Sequence, residues 1–230
     1  MVCNKCAKSS GIGVLRSLCV GAAALFGAGA AHAGAVYTTE DSGATLVVTV
    51  DSDGATLDAN EVVAGITKIA KRGPGRLTAT PIPSYAGDFD IEEGIFCSMA
   101  VGDFGVTNST YSGTIDVRDG ASIEYAGSNK NPRSLEGKTV NLYGAAAAGA
   151  EGKIFLSNKD TQMGGWQGGL GLTPKFYLRD SDTTFWSRNR LTLCGTFDLG
   201  GHVLTLDGGS SRSVDLGGTI TNGGSVVVTP

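Results

Sequence analysis

Two short acidic runs contain the carboxylates best suited to chemistry. Four fall between Asp88 and Glu93, and Asp116 and Asp119 form the second run. A glycosidase uses two carboxyl groups roughly 5–10 Å apart, one of them with a raised pKa. Calcium ions are likewise held by carboxylate and carbonyl oxygens. The alternative, which we favour, is that these carboxylates face solvent at the corners of the fold.

The residue types give little support to a nucleophile–histidine site or a zinc site. His202 is the one histidine after residue 33, and it stands in Gly-Gly-His-Val-Leu-Thr-Leu, where a strand leaves a turn. Zinc requires three or four ligands, and one histidine with the distant Cys97 and Cys194 does not supply them. We therefore predict no catalytic, cofactor-binding or metal-binding residues, and no cofactor.

Aromatic residues crowd one segment of a chain that is only 7% aromatic. Exposed aromatic rings offer a flat apolar face with a polar edge, which suits sugars, so residues 166–186 are the best candidate for a binding face. The alternative, which we favour, is a lateral cluster that packs a loop onto the fold. The rings are Trp166, Phe176, Tyr177, Phe185 and Trp186.

The first 33 residues have the pattern of a secretory signal peptide. Three basic residues precede an uncharged stretch rich in Leu, Val, Ala and Gly, which ends in Ala31-His32-Ala33. This order of basic, apolar and small residues is that of a cleaved export signal. The apolar stretch, about 14 residues, is shorter than the roughly 20 that a membrane-spanning helix needs. We predict that residues 34–230 are exported and contain no membrane span.

Without its first 33 residues the chain is acidic. The sequence has 18 Lys and Arg against 22 Asp and Glu; three basic and no acidic residues precede residue 34, so the remainder has a net charge of −7. Nucleic-acid binding needs a clustered basic excess. The one basic cluster, Lys68 to Arg76, surrounds a Gly-Pro-Gly turn. We therefore exclude nucleic acid as a partner.

Short strands separated by turns are predicted throughout residues 34–230. Alternating or β-branched apolar runs recur about every ten residues between Gly, Asp, Asn and Ser clusters, which is typical of an all-β sandwich, barrel or solenoid. The predicted strands are 45–50, 62–69, 76–80, 91–99, 113–117, 122–125, 139–143, 153–156, 175–178, 191–199, 202–206, 218–221 and 225–228.

Internal repetition favours the solenoid. Residues 85–94 match residues 111–120 at Tyr, Gly, two apolar positions, Asp and the closing Gly, at an offset of 26. Two further matches are weaker. Phe197-Asp-Leu-Gly-Gly recurs as Val214-Asp-Leu-Gly-Gly at an offset of 17, and Gly-Ala-Thr-Leu begins at both Gly43 and Gly54. In a solenoid Asp90 and Asp116 would stack on adjacent coils, and a proton or cation would have to separate them. An antiparallel β-sandwich is the alternative fold.

The two cysteines after residue 33 distinguish these folds. Cys97 and Cys194 are 97 positions apart, which is roughly four coils, or about 19 Å along a solenoid. A disulfide requires Cα atoms within about 7 Å of each other. We therefore predict two free thiols, and a bond between them would favour the sandwich.

Several segments carry a resemblance to a known family. Gly73-Pro-Gly-Arg-Leu-Thr-Ala-Thr, Ser84-Tyr-Ala-Gly and Asp90-Ile-Glu-Glu-Gly-Ile together resemble the passenger-associated repeat of autotransporter-type surface proteins. Phe197-Asp-Leu-Gly-Gly-His-Val-Leu-Thr-Leu-Asp-Gly, followed by Gly218-Thr-Ile-Thr-Asn-Gly-Gly, is similar to the β-strand repeats of the same proteins. The resemblance implies a right-handed parallel β-helix displayed outside a bacterial cell.

These observations predict an exported, non-enzymatic β-helical protein with an adhesive or structural role, the N-terminal part of an autotransporter-like passenger. Its expected place is the cell surface or extracellular medium, with the periplasm as the alternative, and its expected partner is a surface glycan or the surface of a host or neighbouring cell. Ser225 to Pro230 form a strand with almost nothing after it, so we expect the solenoid of residues 34–230 to be incomplete at its C-terminus. The alternative function is a secreted polysaccharide-binding or polysaccharide-cleaving β-helix module.

Overall fold

The computed structural model of the chain describes residues 34–52, 54–98, 113–125, 135, 137–144, 155–157, 161–163, 174–187, 191–208 and 214–229. The predicted signal peptide lies outside the described residues. Two short 3-10 turns, Asp41–Gly43 and Ala59–Glu61, interrupt an otherwise all-β structure.

Strands account for most of the regular structure. In chain order they are β1 (Ala35–Glu40), β2 (Thr45–Val50), β3 (Ala55–Leu57), β4 (Lys68–Arg72), β5 (Arg76–Ala79), β6 (Asp88–Ile91), β7 (Gly94–Ser98), β8 (Thr114–Val117), β9 (Ala121–Tyr125), β10 (Thr139–Leu142), β11 (Phe155–Ser157), β12 (Thr161–Met163), β13 (Lys175–Leu178), β14 (Thr183–Ser187), β15 (Leu191–Leu193), β16 (Thr196–Asp198), β17 (Val203–Asp207), β18 (Val214–Leu216), β19 (Thr219–Thr221) and β20 (Ser225–Thr229).

The strands form three sheets. Sheet A has the order β1-β2-β4-β6-β8-β10-β13-β16-β19, sheet B the order β3-β5-β7-β9-β11-β14-β17-β20, and sheet C the order β12-β15-β18. The strands of sheets A and B alternate along the chain and pair in parallel, with β1 antiparallel to β2 as the exception. This is a β-solenoid, so the predicted parallel β-helix is confirmed and the antiparallel sandwich is wrong.

The strongest sequence repeat corresponds to one coil. Phe89 pairs with Ile115 and Asp90 with Asp116, at the predicted offset of 26. The repeat at an offset of 17 does not reflect stacking, because Phe197 pairs with Ile220 in sheet A whereas Val214 lies in sheet C. The two Gly-Ala-Thr-Leu segments lead into β2 and β3, which belong to the same coil.

Apolar side chains from sheets A and B fill the interior of the solenoid. Strand alternation turns every second residue inward, so equivalent residues of successive coils stack into columns. Phe176 and Phe197 stack with their ring centroids 4.9 Å apart, and Phe185 meets both rings edge-on. The inward columns include Ile69, Phe89, Ile115, Val140, Phe176 and Phe197 from sheet A, and Leu77, Phe96, Ile123, Phe185 and Leu206 from sheet B.

One inward position holds a lysine instead of an apolar residue. Lys71 is fully buried, and its ammonium donates to the carbonyl oxygens of Gly73, Gly75 (2.5 Å) and Glu93 (2.7 Å). A buried charge requires such a set of acceptors. Gly94 is needed beside it, because its φ is +70° and a Cβ there would collide with the lysine and both glycine carbonyls. The corner between sheets A and B is therefore fixed from inside.

Strand β1 covers the first coil. Tyr37 packs against the core, and its hydroxyl donates to the carbonyl of Thr56 at 2.8 Å. Burial, with Glu61 nearby, raises the pKa of Tyr37. In β19 and β20, by contrast, Ile220, Val227 and Val228 are between 44% and 67% exposed.

Candidate functional site

The outward face of sheet A carries two adjacent columns of polar and aromatic side chains. Residues two apart on a strand share a face, and parallel pairing stacks them one coil above another. Ladder hydrogen bonds continue past the strand ends, so the residues after β6, β8, β10 and β13 also align. The first column contains Asp90, Asp116, Asn141, Tyr177 and Asp198. The second column contains Arg72, Glu92, Arg118, Tyr143 and Arg179.

Arg118 joins the two stacked aspartates. Its Nε lies 2.7 Å from Asp90 Oδ1, and its Nη2 lies 3.1 Å from Asp90 Oδ2 and 3.0 Å from Asp116 Oδ2. The hydrogen bonds to Asp90 are the main cause of a raised pKa for Arg118. The predicted stacking of carboxylates is confirmed, and the cation between them is this guanidinium. The favoured corner position is wrong for Asp90 and Asp116, which lie within strands, but it is confirmed for Glu93 and Asp119, which are exposed between strands.

The network extends to the next two coils. Asn141 Nδ2 donates to Asp116 Oδ1 at 2.7 Å, and Arg179 Nε donates to Asn141 Oδ1 at 2.9 Å. All four carboxylate oxygens of Asp90 and Asp116 therefore accept hydrogen bonds from Arg118 or Asn141. Arginine–tyrosine stacking adds to this order, with the Arg118 guanidinium 4.6 Å from the Tyr143 ring centroid.

Arg72 begins the second column and is held from both sides. Its Nη1 and Nη2 lie 2.6 and 3.1 Å from the Glu40 carboxylate, and its Nε and Nη2 lie 2.7 and 3.1 Å from Glu92. These hydrogen bonds raise the pKa of Arg72, and the one to Glu92 has the larger effect. The hydrogen bond from Arg72 lowers the pKa of Glu40. The arginine thereby ties β1 to the coils above it.

A shallow depression of about 670 Å³ opens where the second column meets the turns after β8, β10 and β13. We call it the Tyr143 depression. Gly144 lies under it, and a Cβ on that glycine would come within 3.0 Å of Asp119 Oδ1. Its lining consists of Arg118, Asp119, Tyr143, Gly144, Asp180 and Ser181.

The predicted aromatic binding face is divided by strand alternation. Phe176 and Phe185 point inward and are 1% and 0% exposed, so they belong to the core. Tyr177 points outward under the guanidinium of Arg179, 4.4 Å from its ring centroid. Trp186 is partly exposed on sheet B, and Trp166 lies outside the described residues. The five rings therefore do not form one surface.

Neither histidine nor cysteine chemistry gains support. His202 stands between a Gly-Gly turn and β17, as predicted, with Nε2 3.3 Å from the Arg179 carbonyl and Nδ1 4.0 Å from Asp182 Oδ1. Cys97 and Cys194 are buried and form no disulfide among the described residues, which confirms the predicted thiols. Burial raises the pKa of Cys97, whose Sγ accepts from Arg76 Nη2 at 3.0 Å.

Comparison of the chain with protein-family models, curated proteins and solved structures found no match. Within the part of the chain that the structure describes, no three His, Cys, Asp or Glu side chains are arranged to hold a metal ion. The same residues include no helix long and apolar enough to cross a membrane.

Sequence reasoning missed Arg118, Tyr143 and Arg179. The signal was present, because each follows an outward residue of the first column by two positions and so shares its face. Asp116 and Arg118 in particular are separated by the buried Val117. Within the 85–94 and 111–120 repeat, Arg118 follows Asp116 by two positions, so strand alternation predicts that it shares a face with the stacked aspartates.

Proposed function

We propose that this chain is an exported β-helical protein of the cell surface with an adhesive or structural role, related to autotransporter passengers. The observation that carries the proposal is the Asp90–Arg118–Asp116 network on a parallel β-helix. The stacked carboxylates, the strongest acid/base candidates of the sequence, use all four oxygens to join successive coils. Such a network stiffens an extended surface and leaves neither carboxylate directed at a reacting group.

Export is supported by the basic, apolar and Ala-x-Ala pattern of residues 1–33. Surface display is supported by the passenger-like segments around Gly73 to Ile95 and Phe197 to Gly224. The structure brings the first of these segments into β5, β6 and β7, and the second into β16, β17 and β19. The resembling segments are thus coil-forming segments of the solenoid.

Cell fractionation tests this proposal. An antibody raised to residues 34–230 is expected to detect the native product in the surface fraction, accessible to added protease in intact cells. A chain starting at residue 34, without the export signal, is the matched control and should remain in the cytoplasm. Cytoplasmic retention of the native product would contradict export, and a soluble periplasmic product would contradict surface display.

A polysaccharide-binding module is the second candidate function. It is favoured by the two outward tyrosines, Tyr143 and Tyr177, each with a guanidinium packed on its ring. Aromatic rings and arginines with open hydrogen-bonding groups are groups that recognise sugars. Binding of glycans to the outward face of sheet A would support an adhesive role as well.

A further inference from the structure

We propose that the Tyr143 depression binds a neutral oligosaccharide. The proposal deepens and rests on the glycan-binding candidate above. The ring of this site, Tyr143, lies outside the aromatic segment 166–186, although Asp180 and Ser181 of that segment line the depression. The depression has the volume of a small-molecule site, which is generally about 300–1,000 Å³, and it lies on the outward face near the middle of sheet A.

The Tyr143 ring is partly exposed in the depression and is held in place by a neighbouring arginine. Arg118 packs on the ring and is itself fixed by Asp90 and Asp116. The arginine cannot turn away without losing two ion pairs, so the ring and guanidinium form a preorganised unit. A sugar presents C–H groups on one face of its ring, and these pack well on an aromatic surface. Preorganisation reduces the entropy lost when such a ligand binds.

Hydrogen-bonding groups of both kinds line the same depression. Arg118 Nη1 donates to no acceptor among the described residues, and the Asp180 carboxylate accepts no hydrogen bond from them. Each sugar hydroxyl can donate one hydrogen bond and can also accept hydrogen bonds. A pair of neighbouring hydroxyls can therefore satisfy a guanidinium and a carboxylate at once.

The charges favour a neutral ligand. The Asp180 carboxylate lines the depression, and the one cation among its described lining residues, Arg118, already pairs with Asp90 and Asp116. An anionic sugar would meet this excess of negative charge, in a chain whose residues 34–230 have a net charge of −7. A negatively charged sugar group and a nearby carboxylate repel each other even at the protein surface. Among the described residues, Asp119 and Asp180 have no third ligand beside them, so they make a poor site for a metal ion.

The space depends on a glycine. Gly144 occupies the position between Asp119 and Asp180 in the stack, and the Asp119 side chain lies against it, with Oδ1 3.0 Å from the place a Cβ would take. A valine there would project into the depression and displace Asp119. Gly144 has no left-handed φ, so this substitution should fill the site without straining the backbone.

A binding assay with defined probes tests the proposal. The purified protein is titrated against gluco-, galacto- and manno-oligosaccharides, with uronate and sulfated oligosaccharides and Ca²⁺ as comparison probes, with and without EDTA. We expect a neutral oligosaccharide to bind independently of EDTA. Tyr143→Ala and Gly144→Val should each weaken it at least tenfold, whereas Tyr143→Phe, which keeps the ring, should change it less than threefold.

Aspartate variants provide the matched control. Asp180→Asn should weaken binding severalfold, whereas Asp51→Asn, a change at an exposed turn of the first coil, should leave it unchanged. Circular dichroism and thermal unfolding confirm that each variant is folded. The proposal is wrong if no neutral oligosaccharide binds, if only acidic ones bind, if binding requires Ca²⁺, or if Tyr143→Ala binds as well as the unchanged protein. Each of these results would reject glycan binding without bearing on surface display. Conversely, a protein that binds glycan but stays in the cytoplasm would reject export without bearing on this site.

Discussion

The second outward column contains three arginines, and their surroundings differ along the solenoid. Arg72 makes four hydrogen bonds to two glutamates, and Arg118 makes three to two aspartates. Arg179 makes one side-chain hydrogen bond, to the neutral Asn141, and has no carboxylate partner among the described residues. The backbone position is equivalent in all three coils, so the neighbouring column decides whether an arginine is structural or accessible.

This difference divides the outward face into a closed and an open part. In the coils of β4 to β8, ion pairs cross between adjacent strands and hold the coils together. In the coils of β10 and β13, tyrosines take the place of carboxylates and the Tyr143 depression opens. Substitutions in the closed part should therefore reduce stability, and substitutions in the open part should alter binding. Arg118 belongs to the closed part but lines the depression, so its substitution should affect both.

The largest loss of stability is expected in the interior beneath the closed part, at Lys71. Lys71→Ala removes the buried ammonium, leaves three carbonyl groups without their donor and creates a cavity, which should cost about 3–5 kcal/mol. Lys68→Ala, on the same strand but partly exposed, is the control and should cost less than about 0.5 kcal/mol. Urea unfolding measures both, and equal losses would contradict the structural role of Lys71.

A second buried lysine, Lys138, directly precedes β10, and its contribution to stability depends on pH. Burial lowers its pKa from 10.5 to about 8. Between these values the unfolded chain binds a proton that the folded chain does not, so the free energy of unfolding rises as pH increases from 8 to 10.5. The rise should reach about 2–3 kcal/mol.

Comparison with Lys138→Met isolates this contribution, because the other titrating groups are shared. The difference in unfolding free energy between the unchanged protein and the variant should vary with pH in this window and be constant below it. Parallel pH profiles for the two proteins would show that Lys138 is not responsible.

Arg118→Ala should have an intermediate effect. It leaves Asp90 and Asp116 facing each other on adjacent coils without a counter-charge, and because the arginine is about 39% exposed, solvent should limit the loss to about 1–2 kcal/mol. Adding Asp116→Asn should recover part of that loss, since it removes the repulsion. If the two changes were additive, the carboxylates would not be coupled through Arg118.

The smallest effect on stability is expected at Arg179. Arg179→Ala removes one hydrogen bond and a stacking contact at an exposed position, so it should change the free energy of unfolding by less than about 0.5 kcal/mol. Denaturant titration beside Arg118→Ala measures the contrast directly. A loss as large as that of Arg118→Ala would abolish the distinction between closed and open parts.

The repeating architecture was predictable because coils impose a spacing on the sequence. The 26-residue repeat gave the register of Asp90 on Asp116, and β2 and β13 were predicted at their observed bounds. Three-residue strands such as β3 and β18 were missed, since so short a run shows no alternation. The predicted strand 191–199 is two strands, because the chain turns a corner at Cys194 and Gly195.

The site was less predictable, because it depends on which face each side chain occupies. Counting aromatic residues placed Phe176 and Tyr177 in one cluster, although adjacent residues of a strand point to opposite faces. Tyr143 follows Arg118 by 25 residues in the sequence, so no local pattern relates them. Their contact follows only from the coil register.

A single engineered thiol tests the register of the stacked coils, which determines which side chains are neighbours. Thr78 pairs directly with Cys97 on the next coil, at the strand spacing of about 4.8 Å, which lies within disulfide range. Under oxidising conditions Thr78→Cys should form a disulfide with Cys97, detected by mass spectrometry of peptides. Thr56→Cys, one coil further away, should form none. A disulfide from position 56 to Cys97, or between Cys97 and Cys194, would contradict the stacked parallel coils.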